Sequence, residues 1–192
     1  MEATKNIMIV GVGGQGTLLA SKLLGYVLLN KGYDVKVSEV HGMSQRGGSV
    51  TTYIRYGEHV SSPVIEKGEA DIIISFEQLE AARWLEYLKP GGTIITNTQK
   101  IDPMPVITGA MEYPDDIVGK MEKTGAKVDA QDFLAIAEEA GNAKAVNICL
   151  MGRFSNYLSE ISEEEWLDAI EKNVPAKFLE LNKKAFALGA KA

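Results

Sequence analysis

Residues 6–40 read NIMIVGVGGQGTLLASKLLGYVLLNKGYDVKVSEV, and this stretch decides the fold. Ile7–Val10 is a short apolar run ending in glycine, the pattern of a buried strand. It enters GVGGQG, Gly11–Gly16. From Thr17 to Lys31, apolar residues recur at Leu19, Leu23, Val27 and Leu28, one face of a helix. Gly32 stands where a helix is capped, and Val35–Glu39 reads as a second strand. Strand, glycine turn, helix and strand make a βαβ unit with a right-handed crossover.

The same alternation continues outward from this unit. Ser49–Tyr56 has the period of a strand, and Gly57-Glu58 is placed to turn it toward Val60-Ser61 as an antiparallel hairpin at the sheet edge. DIIIS, Asp71–Ser75, is another buried strand. Glu77–Leu88 reads as a helix closed by Pro90-Gly91-Gly92, followed by a strand at Thr93–Thr96 and a proline-bearing connection at Gln99–Pro105. Further helices are expected at Asp115–Lys123 and Gln131–Ala140, with a short strand at Ala126–Val128 between them. The last third, from about residue 145 to 192, is helical. There Ser162 and Glu165 have capping-box spacing, and Phe178, Leu181, Ala185 and Leu188 share a helical face. The expected class is α/β: one domain over 1–192, three-layered and Rossmann-like. Its sheet is mostly parallel, with an antiparallel edge hairpin and C-terminal helices.

Bulk properties narrow the function. The chain has 192 residues and a formal net charge of −6, with no Lys/Arg cluster, so nucleic acid is not an expected partner. No basic segment leads an apolar core at the start, and no run approaches about 18 apolar residues. The chain reads as a soluble, cytoplasmic protein with no membrane partner. One cysteine, Cys149, lies among Asn147, Ile148, Leu150 and Met151 and reads as a buried small hydrophobe.

The GVGGQG turn satisfies G-x-G-x-x-G between strand and helix, and Glu39 ends the next strand where a ribose-binding acid would sit. Glycines let backbone N–H groups approach an anion, and the helix N-terminus adds positive potential. Bound dinucleotide, tight strand-to-helix packing, and another ligand or partner all stay open on this motif. Gln15 places an amide at the mouth of the turn. Glu39 also runs directly into a polar loop. SEVHGMSQRGGSV, Ser38–Val50, would compete for the space an adenosine takes. His41 is a proton carrier or a loop-shaping hydrogen bonder. Arg46 suits a carboxylate or phosphate, or else an ion pair with Glu39 or a partner. Gly42, Gly47 and Gly48 permit positive φ or close approach. Ser44, Gln45 and Ser49 offer neutral hydrogen-bonding groups, and Met43 reads as an interface packing residue.

Together, GVGGQG and SEVHGMSQRGGSV resemble the gamma-type subunits of the 2-oxoacid:ferredoxin oxidoreductases, with support from SFEQLEAARWLEYLKPGGTIITNT (75–98) and NICLMG (147–152). Within that family the residues resemble the indolepyruvate-type branch most. The resemblance implies oxidative decarboxylation of an aryl 2-oxoacid to an acyl-coenzyme A, with reduction of ferredoxin. It also implies a chain that binds no cofactor by itself. Thiamine diphosphate and iron–sulfur clusters would lie on a large, cysteine-rich, thiamine-binding catalytic subunit, coenzyme A would be co-substrate, and ferredoxin would be met through the complex. One cysteine agrees, since a cluster takes about four. No catalytic residue and no metal ligand is expected on this chain.

Ligands of open parallel sheets bind at the carboxyl ends of the strands. The residues expected near substrate, coenzyme A or the partner are therefore Gly11, Gly13, Gly14, Gln15, Gly16, Glu39, His41, Met43, Ser44, Gln45, Arg46, Gly47, Gly48, Glu77 and Asn97. Apolar faces around Trp166 and Phe178, or near Tyr53 and Tyr56, are candidates for partner contact. The alternative is an independent dinucleotide-binding oxidoreductase that uses the GVGGQG turn.

Overall fold

The computed structural model describes residues 4–41 and 47–192. Six strands form one sheet: β1 (Lys5–Val12), β2 (Asp34–His41), β3 (Ser49–Gly57), β4 (Ala70–Ser75), β5 (Leu88–Asn97) and β6 (Lys127–Gln131). Their spatial order is β2-β3-β1-β4-β5-β6. β1, β4, β5 and β6 run parallel, while β3 is antiparallel to both of its neighbours. The class is therefore the expected α/β one, with an antiparallel hairpin at one edge.

Side chains alternate across a strand, and β1 shows the consequence. Ile7 and Ile9 enter one core with α1 (Thr17–Asn30), α5 (Phe133–Ala140), α6 (Val146–Ser155), α7 (Glu163–Asn173) and α8 (Leu179–Lys191). Met8 and Val10 enter the opposite core with α2 (Gln78–Arg83) and α4 (Ile117–Glu122). A one-turn helix, α3 (Met104–Ile107), belongs to neither.

The hairpin differs from the expected one in its members. Ser49–Gly57 pairs back onto β2, not forward onto Val60-Ser61, and it inserts between β2 and β1. β2 thus runs parallel to β1 but stands one strand further out. The helix expected over Glu77–Leu88 stops at Arg83, and Pro90–Gly92 lies inside β5. The register there jumps from Ala70↔Leu88 to Ile72↔Thr93, so the Pro-Gly-Gly run is a bulge, which suits a segment lacking one N–H. Trp166 and Tyr56, expected on a partner face, are 0% and 2% exposed. Both are core, as aromatic residues at helical or strand spacing usually are. The capping box holds: Ser162 Oγ accepts from Glu165 N, and the Glu165 carboxylate accepts from Ser162 N at 2.7 Å.

The α6–α8 pair is locked by glycine. A Cβ on Gly189 would lie 1.9 Å from the Cys149 carbonyl oxygen, and one on Gly152 would lie 2.1 Å from that of Phe186. The helices meet backbone to backbone, and Cys149 is sealed between them, its thiol pushed up to about 12 by burial. Gly189→Ala should force the helices apart and cost about 1–3 kcal/mol, read as a lower midpoint of thermal unfolding.

β6 is tied to α6 by Asp129, which accepts from Arg153 Nε at 2.6 Å and Tyr157 Oη at 2.7 Å. Burial pushes the Asp129 carboxyl up, but these bonds outweigh it and hold it below 3.8. Its stabilisation is therefore present above that value and lost as pH falls through the lowered one. Asp129→Asn should lower the unfolding midpoint at neutral pH, with the gap to wild type closing in acid. A gap independent of pH would remove this carboxylate's role.

Candidate functional site

The turn joins β1 to α1 at the carboxyl end of the sheet. Gly14 and Gly16 have φ of 101° and 87°, a region side-chain-bearing residues avoid. Gly16 is also crowded: a Cβ there would lie 2.5 Å from Asn147 Nδ2, whose own N–H₂ donates to the Gly16 carbonyl at 3.4 Å. Gly11 packs on Phe76, where a Cβ would lie 3.0 Å from that side chain.

Two interactions determine what this turn can bind. Gly13 N–H donates to the Gly48 carbonyl at 2.8 Å, and Gly47 N–H donates to the Gly13 carbonyl at 3.3 Å. The incoming end of β3 therefore occupies the amide that a pyrophosphate would use. Gln15 does not reach outward. Its Oε1 accepts from Val12 N at 2.7 Å, and its Nε2 donates to the Phe76 carbonyl at 3.0 Å and to Gln99 Oε1 at 3.5 Å. It staples the turn to the ends of β1 and β4.

Glu39 stands on β2, two strand spacings or about 10 Å from β1, because β3 lies between. Its carboxylate accepts from Ser21 Oγ at 3.0 Å. The cavity between it and the turn measures about 150 Å³ and is lined by Gly13, Gly14, Leu18, Glu39, Val40 and Thr52. That is below the roughly 300–1,000 Å³ of small-molecule sites. A dinucleotide on this flank, with Glu39 holding its ribose, fits none of these three features.

On the other side of the turn lies a cleft of about 500 Å³, bounded by Gly14, Gln15, Gly16, Gln99, Lys144 and Asn147. Gln99, Lys144 and Asn147 were not singled out from sequence. Asn147 had a signal, as the first residue of NICLMG; Gln99 and Lys144 lie in connections with no motif. A cavity of about 560 Å³ at the opposite end, near Lys5, Tyr33, Tyr56 and Glu160, sits at the amino end of β1, away from the turn.

Glu77 and Asn97 are buried, at 1% and 0% exposure, and hold loops instead of facing the cleft. Glu77 caps α2 by accepting from Glu80 N at 2.8 Å, and also accepts from Ile101 N and Tyr113 Oη. Burial and that bond to Glu77 push the Tyr113 hydroxyl up. Asn97 Oδ1 accepts from Phe133 N at 3.1 Å, at the start of α5. Glu80, unforeseen, is buried too; it accepts from Ser49 Oγ and pairs with Arg83 at 3.2 Å. Burial raises its carboxyl, partly offset by those two groups. Gly42, Met43, Ser44, Gln45 and Arg46 lie outside the described residues, and His41 is described by its backbone, paired with Val50. Among the described residues no group of three His, Cys, Asp or Glu could hold a metal, and no helix is long and apolar enough to cross a membrane.

A model of the pyruvate ferredoxin/flavodoxin oxidoreductase family matches residues 6–192. The chain belongs to this family. Family relatives include proteins named indolepyruvate oxidoreductase subunit IorB from Thermococcus kodakarensis and Pyrococcus horikoshii. They are 46% and 44% identical, each match covering 97% of this chain and 95% of theirs. A pyruvate/ketoisovalerate oxidoreductase common subunit gamma from Thermococcus kodakarensis is 24% identical over 91% of this chain and 89% of its own. The fold matches that of pyruvate oxidoreductase subunit PORC from Thermotoga maritima, with TM-score 0.75 at 20% identity, covering 99% of this chain and 97% of that one. It also matches a 2-oxoglutarate:ferredoxin oxidoreductase from Magnetococcus marinus, with TM-score 0.72 at 18% identity, covering all of this chain but 31% of that one.

A ligand of the native state raises its unfolding midpoint by mass action. Millimolar NAD or NADP should leave the midpoint of the isolated chain unchanged. A dose-dependent rise would restore the dinucleotide reading.

Proposed function

We propose that this chain is the small, non-catalytic subunit of an indolepyruvate:ferredoxin oxidoreductase, and that the carboxyl end of its sheet faces the large subunit beside the oxoacid or coenzyme A site. The observation that carries the reading is the Gly13–Gly48 hydrogen bond: with that amide engaged, the turn is a rigid corner beside an open cleft. The substrate class rests on identity. Relatives named for indolepyruvate are 35–46% identical, whereas gamma and KorC subunits named for pyruvate/ketoisovalerate or 2-oxoglutarate are 24–27% identical.

The cofactors of such an enzyme belong, on this reading, to the large subunit. The donor set here does not fit an iron–sulfur cluster, which takes about four thiolates; the one cysteine is sealed between α6 and α8. What this chain offers is anion recognition and shape. Lys144 borders the cleft, with the amides of Gln99 and Asn147 beside it. Arg46 precedes Gly47, whose N–H is fixed on the turn. Both cations suit a carboxylate or phosphate.

The test is anaerobic reconstitution of tagged chain with its cysteine-rich partner, following viologen or ferredoxin reduction with indolepyruvate, pyruvate and 2-oxoglutarate. Indolepyruvate should be preferred. Arg46→Ala should raise KM for oxoacid or coenzyme A by about tenfold or more, as loss of a charge-assisted hydrogen bond does, with kcat little changed. Unchanged kinetics with intact assembly would remove Arg46 from the site, and absence of turnover with every oxoacid would remove the subunit reading.

A further inference from the structure

Between β5 and α4 the chain makes an excursion whose returning stem packs on the α2/α4 core through Tyr113 and whose tip joins neither core. Its two stems are held by one carboxylate. Glu77 accepts from Ile101 N at 3.2 Å on the outgoing stem and from Tyr113 Oη on the returning one. Lys100 Nζ lies 5.5 Å from the centroid of the Tyr113 ring, tying the stems to each other. Gln78 adds a bond from Nε2 to the Thr98 carbonyl at 3.0 Å.

Beyond the stems, the tip is held by its own backbone. Ile107 N–H donates to the Pro103 carbonyl at 3.1 Å, and Ala110 and Met111 N–H both donate to the Pro105 carbonyl, at 2.9 and 3.0 Å. Gly109, at φ 75°, makes the reversal. The knob is thus built in advance of any contact, which lowers the ordering cost of binding.

Its surface is unusual. Met104, Ile107 and Met111 are 64%, 65% and 65% exposed, and none packs on either core cluster. Asp102 precedes these residues and Glu112 follows them, and neither forms an ion pair among the described residues, whereas Asp115 and Asp116 beyond are paired with Lys120 and Lys123. Three bare apolar side chains between two unpaired carboxylates call for a surface with an apolar floor and a basic rim. Exposed methionine suits such a seat because its unbranched chain adapts to the partner's shape.

Position names the partner. Gln99 and Ile101, on the outgoing stem, also line the 500 Å³ cleft, so the arm continues that wall. Leu18 and Val40, 63% and 53% exposed, flank the turn at the same end of the sheet. We infer that the arm Asp102–Glu112 is the plug by which this chain docks into an apolar, basic-rimmed groove on the large subunit, a site that rests on the subunit reading above.

The experiment is anaerobic titration of the tagged large subunit with wild-type chain, with Ile107→Ser/Met111→Ser, with Asp102→Lys/Glu112→Lys, and with Leu29→Ser as a control at the far end of α1. The substituted arm side chains lie outside both cores, so all variants should unfold at the wild-type midpoint. The apolar double variant should bind roughly thirtyfold more weakly, as two interface anchors cost when truncated. The charge-reversed variant should also weaken, and its affinity should no longer fall with added salt. Leu29→Ser should bind as wild type does. Equal binding by the wild type and both arm variants overturns the docking site while leaving the subunit reading intact. So does self-association of the isolated chain that the apolar variant abolishes without changing affinity for the large subunit. Failure of the wild type to bind the large subunit at all removes the subunit reading, and the docking site with it.

Discussion

The reciprocal hydrogen bonds between Gly13 and the Gly47–Gly48 pair govern the working end of this molecule. They extend the β1–β3 ladder past the last strand residues and bring the hairpin return onto the glycine turn. Once β3 holds that place, β2 is displaced outward and Glu39 goes with it, leaving a small cavity on one flank and an open cleft on the other. The same motif in a sheet with β2 beside β1 would leave its amides facing solvent. A strand insertion, not a change in the motif, separates the two outcomes.

A second constraint is the Glu77 carboxylate. A buried polar group is costly unless hydrogen-bonded, and here three donors come from α2 and from both stems of the following excursion. One side chain thus caps a helix and closes a loop. Glu80, one turn on, does similar work for the hairpin through Ser49 Oγ. The elements at the carboxyl end of the sheet are fixed by buried polar groups, while apolar packing on two faces, with the Asp129 tie between β6 and α6, holds the rest.

Much of this was legible in the residues. The β1–α1–β2 run, the buried strand at Asp71–Ser75, the helix ending at Ala140 and the Ser162 capping box all follow from local pattern. Strand order did not, because period and turn chemistry describe a strand's own faces and not its neighbours; Ser49–Tyr56 pairs equally well in pattern with β2 or with Val60-Ser61. Pro90-Gly91-Gly92 reads as a stop, yet a bulge admits it within β5. At the site, the turn and the loop were found from their glycines. Glu77 and Asn97 were placed correctly at strand ends, but their side chains point to backbone donors, a distinction that needs coordinates. Gln99 and Lys144 reach the cleft from connections that carry no periodic signal.

The distribution of sulfur follows from the packing. The thiol of Cys149 is 0% exposed between two helices in backbone contact, and burial keeps it protonated. The thioethers of Met104 and Met111 stand in solvent at the tip of the arm. Oxidants reach sulfur where it is accessible, and a sulfoxide is polar where a thioether is apolar. Among the described residues, oxygen chemistry therefore reaches sulfur first at the apolar knob, while the cysteine is shielded by the fold itself.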